Sequence, residues 1–381
     1  MIKTTAIMLA LGLPLTAVSL PAEAAGVTFA IPRPTGAYKV GRDVLHMVDT
    51  GRRDPWAPKA TPRELMVSMY YPARSGGRPA AYMTIAEAAA LLKAQKLDTR
   101  VKPEQIAGVR VNAREDARPA PGRHPLVVLS PGFTLNRATL TMLAEELASR
   151  GNVVALVDHA YESYGTSFPG GRTLTCAACE AVEKAPSDEA SKRLMAKVAT
   201  GRAADLSFVI DRVTRVTGWR RHAMIDTKRI GAAGHSIGGN AAAALMAADR
   251  RVRAGANLDG TFFAPVPAKG LGGRPFLMLG TQSGHSPGSA DASWPRDWRR
   301  LDGWKRWLTV KDSGHFTFID LPVLGGQAGI TDPEAPLSGK RSGEITTSYV
   351  GAFFDRHLQS KKRPLLDGPT RTNPEVTFHN P

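Results

Sequence analysis

Two serines in this sequence sit between glycines in a pattern that can expose a hydroxyl for attack on a carbonyl. The stretches are "GHSIG" at 234–238 and "GHSPG" at 284–288, both G-x-S-x-G. Such a serine works when the chain runs strand, sharp turn, helix. The hydroxyl then stands above a sheet, and the N–H of the next residue faces the same point. "RIGAA" before Ser236 reads as the strand and "GNAAAALMAA" after it as the helix, whose N-terminus turns its positive end to the reaction centre. Ser286 is followed by Pro287, which has no N–H to give, and then by the turn-forming "PGSADAS". Ser236 is the candidate nucleophile, and the Ile237 N–H a candidate oxyanion donor.

A serine hydroxyl needs a base, and the base an acid to orient it, and both should follow later strands in the order acid then histidine. His315 in "KDSGHF" lies after the last strand and is the candidate base. His285 is the rival, although no strand delivers it to the top of the sheet. His235 should pack beside the turn rather than reach the hydroxyl. The tip of the strand "ANLDG" offers Asp259 as the acid, with Asp291 the second candidate; Asp312 is too close to His315 in the chain. An aspartate that merely caps a turn before glycine would look the same as Asp259. A second backbone donor is expected from "LSPGF" (129–133), at Phe133. Proton transfer to histidine generates the nucleophile, so this machinery calls for no metal and no cofactor. Phe133, Tyr161, Tyr164, Phe168, Phe262, Phe263 and Trp294 fall near strand tips and suggest an aromatic rim. Tyr161, Phe262 and Phe263 are the pocket candidates.

These residues require a sheet to carry them. "YKVGRDVLHMVD" (38–49) and "ELMVSMYYPA" (64–73) read as an antiparallel edge pair. "HPLVVLSPG" (124–132), "NVVALVDH" (152–159), "RIGAAGHS" (229–236), "VRAGANLDG" (252–260), "PFLMLGT" (275–281) and "KRWLTVKDSGH" (305–315) read as strands alternating with helices. Continuous apolar strands between helices predict an α/β fold, with a mostly parallel central sheet covered on both faces. Ligands of such sheets bind at the carboxyl ends of the strands. A single domain is expected over 26–360, with 361–381 a loosely ordered tail.

The first 25 residues read as an export signal: Lys3, the apolar run "AIMLALGLPLTAVSL" and "AEA" at 22–24. That makes the expected location periplasmic or secreted, where the two cysteines, Cys176 and Cys179, would form a local disulfide. The net charge of +16 is spread over every segment and no nucleic-acid motif accompanies it. Specific nucleic-acid binding is therefore not expected, whereas a basic face favours adsorption to anionic lipid.

With these pieces assembled, the chain resembles the platelet-activating factor acetylhydrolase family, of the plasma and type II intracellular kind with its bacterial members. The matching stretches are "LSPGFTLNRATLTMLAEELASRG", "VVALVDHAYES", "AAGHSIGG", "NLDG" and "SGHF", and the likeness runs from about 36 to 358. The resemblance implies an α/β-hydrolase fold and an esterase acting on small-molecule or lipid esters, with a triad at Ser236, Asp259 and His315. The family's oxyanion segment often begins His-Gly, but here it reads Pro131-Gly132; the backbone donor survives that change. A secreted lipase or cutinase-like polyester hydrolase is the alternative, and it would place its acid after the later strand.

Overall fold

The computed structural model describes residues 27–57, 59 and 62–381. The expected export signal at 1–25 lies outside the described residues. Strands β1 (Lys39–Arg53), β2 (Pro62–Ala73), β3 (Arg78–Pro79), β4 (Arg114–Glu115), β5 (His124–Ser130) and β6 (Val153–His159) form one side of the main sheet. A separate hairpin is made by β7 (Thr166–Phe168) and β8 (Arg172–Leu174). The other side of the main sheet holds β9 (Ile225–His235), β10 (Val252–Leu258), β11 (Phe276–Thr281), β12 (Lys305–Val310) and β13 (Val376–His379). The spatial order is β13-β12-β11-β10-β9-β5-β6-β2-β1-β4-β3. From β6 through β12 every neighbouring pair is parallel. The long β1–β2 hairpin packs antiparallel on β6. This is the α/β-hydrolase architecture.

The helices are α1 (Ile85–Ala94), α2 (Pro103–Ala107), α3 (Thr141–Ser149), α4 (Ala177–Glu183) and α5 (Asp188–Thr214). They continue with α6 (Ile237–Ala248), α7 (Gln282–His285), α8 (Ser293–Arg300), α9 (Asp320–Gln327) and α10 (Gly339–Gln359). In β5, Val127 and Leu129 point to the core shared with α3 and α10, while Leu126 and Val128 point to the core shared with α5, α6 and α8. That alternation explains why the strand reads as an unbroken apolar run: each of its two faces is covered. Each such side chain removed from water contributes roughly 2 kcal/mol.

Residues 361–381 correct the expectation of a loose tail. Leu366 is fully buried, and β13 adds antiparallel to β12. Thr309 and His379 pair at 2.8 Å, and the Trp298 indole donates to Pro381 O at 3.1 Å. Four residues of alternating "VTFH" are too short a pattern to announce a strand. They become one because β12 would otherwise present unpaired backbone at the sheet edge.

Candidate active site

The turn at the end of β9 is tightly packed. A Cβ on Gly238 would lie 2.1 Å from Ser130 O, and one on Gly234 would lie 2.3 Å from the Gly238 backbone. Nothing larger than glycine fits at either place. Between them Ser236 adopts φ 56° and ψ −128° at the head of α6, a conformation that a non-glycine residue holds only when its surroundings impose it. The imposing contact is a hydrogen bond from Ser236 N to Leu258 O at 2.7 Å.

Asp259 follows immediately on β10, also at φ 56°. Its buried carboxylate accepts from His315 Nδ1 on Oδ2 at 2.6 Å. The Thr281 N–H donates to Oδ1 at 2.6 Å. With its Nδ1 proton held there, His315 keeps a lone pair on Nε2. No hydrogen bond joins His315 to Ser236 Oγ in this structure, and such contacts often tighten only when substrate binds. Burial alone would raise the Asp259 carboxyl. The imidazoles of His285 and His315 outweigh it and hold the group well below the ordinary carboxylate range.

The backbone N–H groups of Phe133 and Ile237 have no protein acceptor among the described residues. Phe133 ends a segment fixed from below by a buried ionic cluster. Arg202 donates to Pro131 O at 2.6 Å and to Glu162 at 2.7 Å. Arg63 donates to Glu162 and Asp205 at 2.7 Å each, and to Asp54 at 2.8 Å. His159 bridges Asp205 at 2.8 Å and Ser130 Oγ at 3.0 Å. Buried charges of this kind persist only when paired, and the pairing ties β5, β6 and α5 to one loop. The sequence pattern did not announce this cluster, because its members are scattered from 54 to 205.

His285 was expected to lie away from the site, and the structure corrects this. The single helical turn α7 carries it from the end of β11 to Asp259, with its Nδ1 2.6 Å from Oδ1. Asp291 does not meet His315; it pairs with His285 Nε2 at 3.1 Å and accepts from Thr261 at 2.8 Å. His235 lies beside the turn and tethers the His315 backbone, its Nε2 donating to His315 O at 2.7 Å. Burial, then the neighbouring His315, lowers His235 to about 3, so its ring is neutral.

The aromatic rim is smaller than expected. Phe262 and Trp294 are fully buried in the core beneath the sheet, and Phe168 is buried with Met66. Tyr161, at φ 62°, packs in that second cluster. Phe262 is therefore not a pocket residue. Phe133 and Phe263 are half-buried and pack with Ile237, Val182 and Met195, together with Trp56, which the sequence did not single out. Cys176 and Cys179 form a disulfide at the start of α4 and pack against Phe133, Trp56 and Tyr164.

Known proteins resemble this chain in sequence and in fold. The family model described as "Platelet-activating factor acetylhydrolase, isoform II" matches residues 25–173. A "Probable 1-alkyl-2-acetylglycerophosphocholine esterase" of Arthroderma benhamiae is 28% identical over 92% of this chain and 94% of its own. The platelet-activating factor acetylhydrolase of Gallus gallus is 23% identical over 70% of each chain. Among solved structures, a ferulic acid esterase from Streptomyces cinnamoneus superposes with a TM-score of 0.80. It is 43% identical, across 93% of this chain and 100% of that one. The chain is thus similar to the platelet-activating factor acetylhydrolase family over residues 25–173, and it is an α/β-hydrolase and a serine carboxylic-ester hydrolase.

Proposed function

We propose that this is an exported esterase that removes short acyl groups from small-molecule or lipid esters through Ser236, His315 and Asp259. The observation that carries the reading is the 2.6 Å contact between His315 Nδ1 and Asp259 Oδ2, at the strand tip that also holds the Ser236 turn. Ser236 Oγ attacks the ester carbonyl while His315 Nε2 takes its proton, and Asp259 stabilises the imidazolium that results. The developing oxyanion accepts from the Phe133 and Ile237 N–H groups, each contributing roughly 3 kcal/mol. His315 then protonates the leaving alcohol, and water repeats the sequence on the acyl-enzyme. The export pattern at 1–25 supports a periplasmic or secreted location, and the net charge of +16 supports adsorption to anionic lipid.

The half-buried Phe133 and Phe263 flank Ile237 and favour acetyl to butyryl groups, the sn-2 position of a phospholipid being one source. A second reading, an aromatic acyl group, is favoured by the identity to an enzyme named for ferulic acid. A lipase or cutinase-like hydrolase is disfavoured, since Asp259 follows β10 rather than β11. Specificity constants across acyl length, with acetyl phospholipid and feruloyl esters alongside, decide among these. Each methylene contributes only about 1–3 kcal/mol, so the preference should be graded. A maximum at long chains supports the lipase reading.

A further inference from the structure

Asp259 serves two histidines. Its Oδ2 takes His315, and its Oδ1 takes His285 Nδ1 at 2.6 Å. The other nitrogen of His285, Nε2, faces Asp291 Oδ2 at 3.1 Å. Asp291 in turn accepts from Thr261 Oγ1 and Ser293 N, both at 2.8 Å, so it is placed as an ionised acceptor. An ionised carboxylate only accepts hydrogen bonds. A ring with a carboxylate at each nitrogen must therefore carry a proton on both, which makes it an imidazolium. The Trp294 indole stacks on that ring at 4.2 Å, as a cation invites. The Trp307 indole holds the His285 carbonyl at 2.7 Å.

We infer that His285 is a positioning residue that stays charged around neutral pH, fixes the Asp259 carboxylate and limits how tightly His315 holds a proton. With His285 charged, it and the two aspartates sum to −1 while the base is neutral. Were His285 neutral, the sum would be −2, and His315 would acquire a proton at higher pH, losing its function as a base. The device thus extends activity toward acid. His285 cannot itself be the base, because neither nitrogen has a lone pair to offer.

The other groups facing this chain of charges are few. The His235 ring lies 4.6 Å from that of His315, tilted against it, and is neutral, and Arg296 of α8 lies within electrostatic range of Asp291. Burial alone would lower His285; Asp259, then Asp291, outweigh it and raise it to about 9.

The inference rests on the roles given above to Ser236, Asp259 and His315. Its test compares the pH dependence of kcat/KM in the unmodified enzyme, His285→Gln and Asp291→Asn. In His285→Gln the acid limb should move up by about one pH unit. In Asp291→Asn it should move down, since His285 keeps its charge against Asp259. A purely structural role would lower activity without opposed shifts, so limbs that stay put or move together overturn the inference. Ring-nitrogen NMR of the unmodified protein decides independently of how the variants fold. Both His285 nitrogens should stay protonated from about pH 6 to about pH 8, and a bare nitrogen in that range overturns the assignment. Because the NMR signature needs no turnover, an active Ser236→Ala enzyme would refute the triad without touching it.

Discussion

The Arg202 guanidinium donates to the carbonyl of Pro131 at 2.6 Å, two residues before Phe133. The loop expected to bind the oxyanion is thereby anchored to α5 by a fully buried cation. Arg202→Met should leave Glu162 partly unpaired and free the loop. Breaking a buried ion pair costs about 3–5 kcal/mol, so the variant should melt well below the parent. Its kcat should fall by roughly tenfold to a hundredfold, short of losing an oxyanion donor outright. Parent-like melting and kcat would show that the cluster is incidental.

The disulfide packs on Phe133 but touches no reacting atom. Closing so short a loop constrains the unfolded chain by about 2 kcal/mol. The Cys176→Ser, Cys179→Ser double variant should unfold at a lower denaturant midpoint while keeping turnover within about threefold. A folded double variant with no activity would give the bridge a more direct part.

His285 also sets a pH dependence of stability. Its folded pKa of about 9 lies above the unfolded value of about 6.5. The stabilisation is complete below that unfolded value and is lost as pH rises through 9. Between those limits the folded state should lose up to about 3 kcal/mol. Denaturation midpoints measured across that range should fall in the parent and stay flat in His285→Gln. A parent midpoint that does not fall would contradict the charge assigned to His285.

The strands that carry the site were legible because β5, β6, β10 and β11 are buried on both faces and read as continuous apolar runs between helices. Ser236, Asp259 and His315 were named because local chemistry separated them from rivals; Pro287, for instance, cannot donate an N–H. What sequence could not convey were contacts made by folding distant segments together. His285 looked stranded after β11 because one helical turn, 282–285, has too few residues to show a period. Phe262 looked like a pocket residue because strand-tip position does not say which side of the sheet a side chain enters. The Arg63–Asp205–Glu162–Arg202 cluster was invisible for the same reason as β13: each member is unremarkable until its partner arrives.

Variants of Asp259 and Asp291 separate the proposed acid of the triad from its outer neighbour. Asp259→Asn keeps the shape of the site but leaves His315 without its counter-charge, and kcat should fall by about 10⁴. Asp291→Asn should remain active, with the altered acid limb described above. Comparable losses in both variants would mean that the acid has been misassigned.

The central claim is that Ser236 is the nucleophile, and active-site labelling tests it most directly. A serine-directed organophosphorus reagent should abolish activity at one equivalent, with chelator present and without effect. Mass spectrometry of the digested protein should then find the adduct on the peptide carrying Ser236. Ser236→Ala should take up no label and show kcat reduced about a millionfold, while Ser286→Ala should label and turn over normally. An adduct on Ser286, or full activity in Ser236→Ala, would contradict the account.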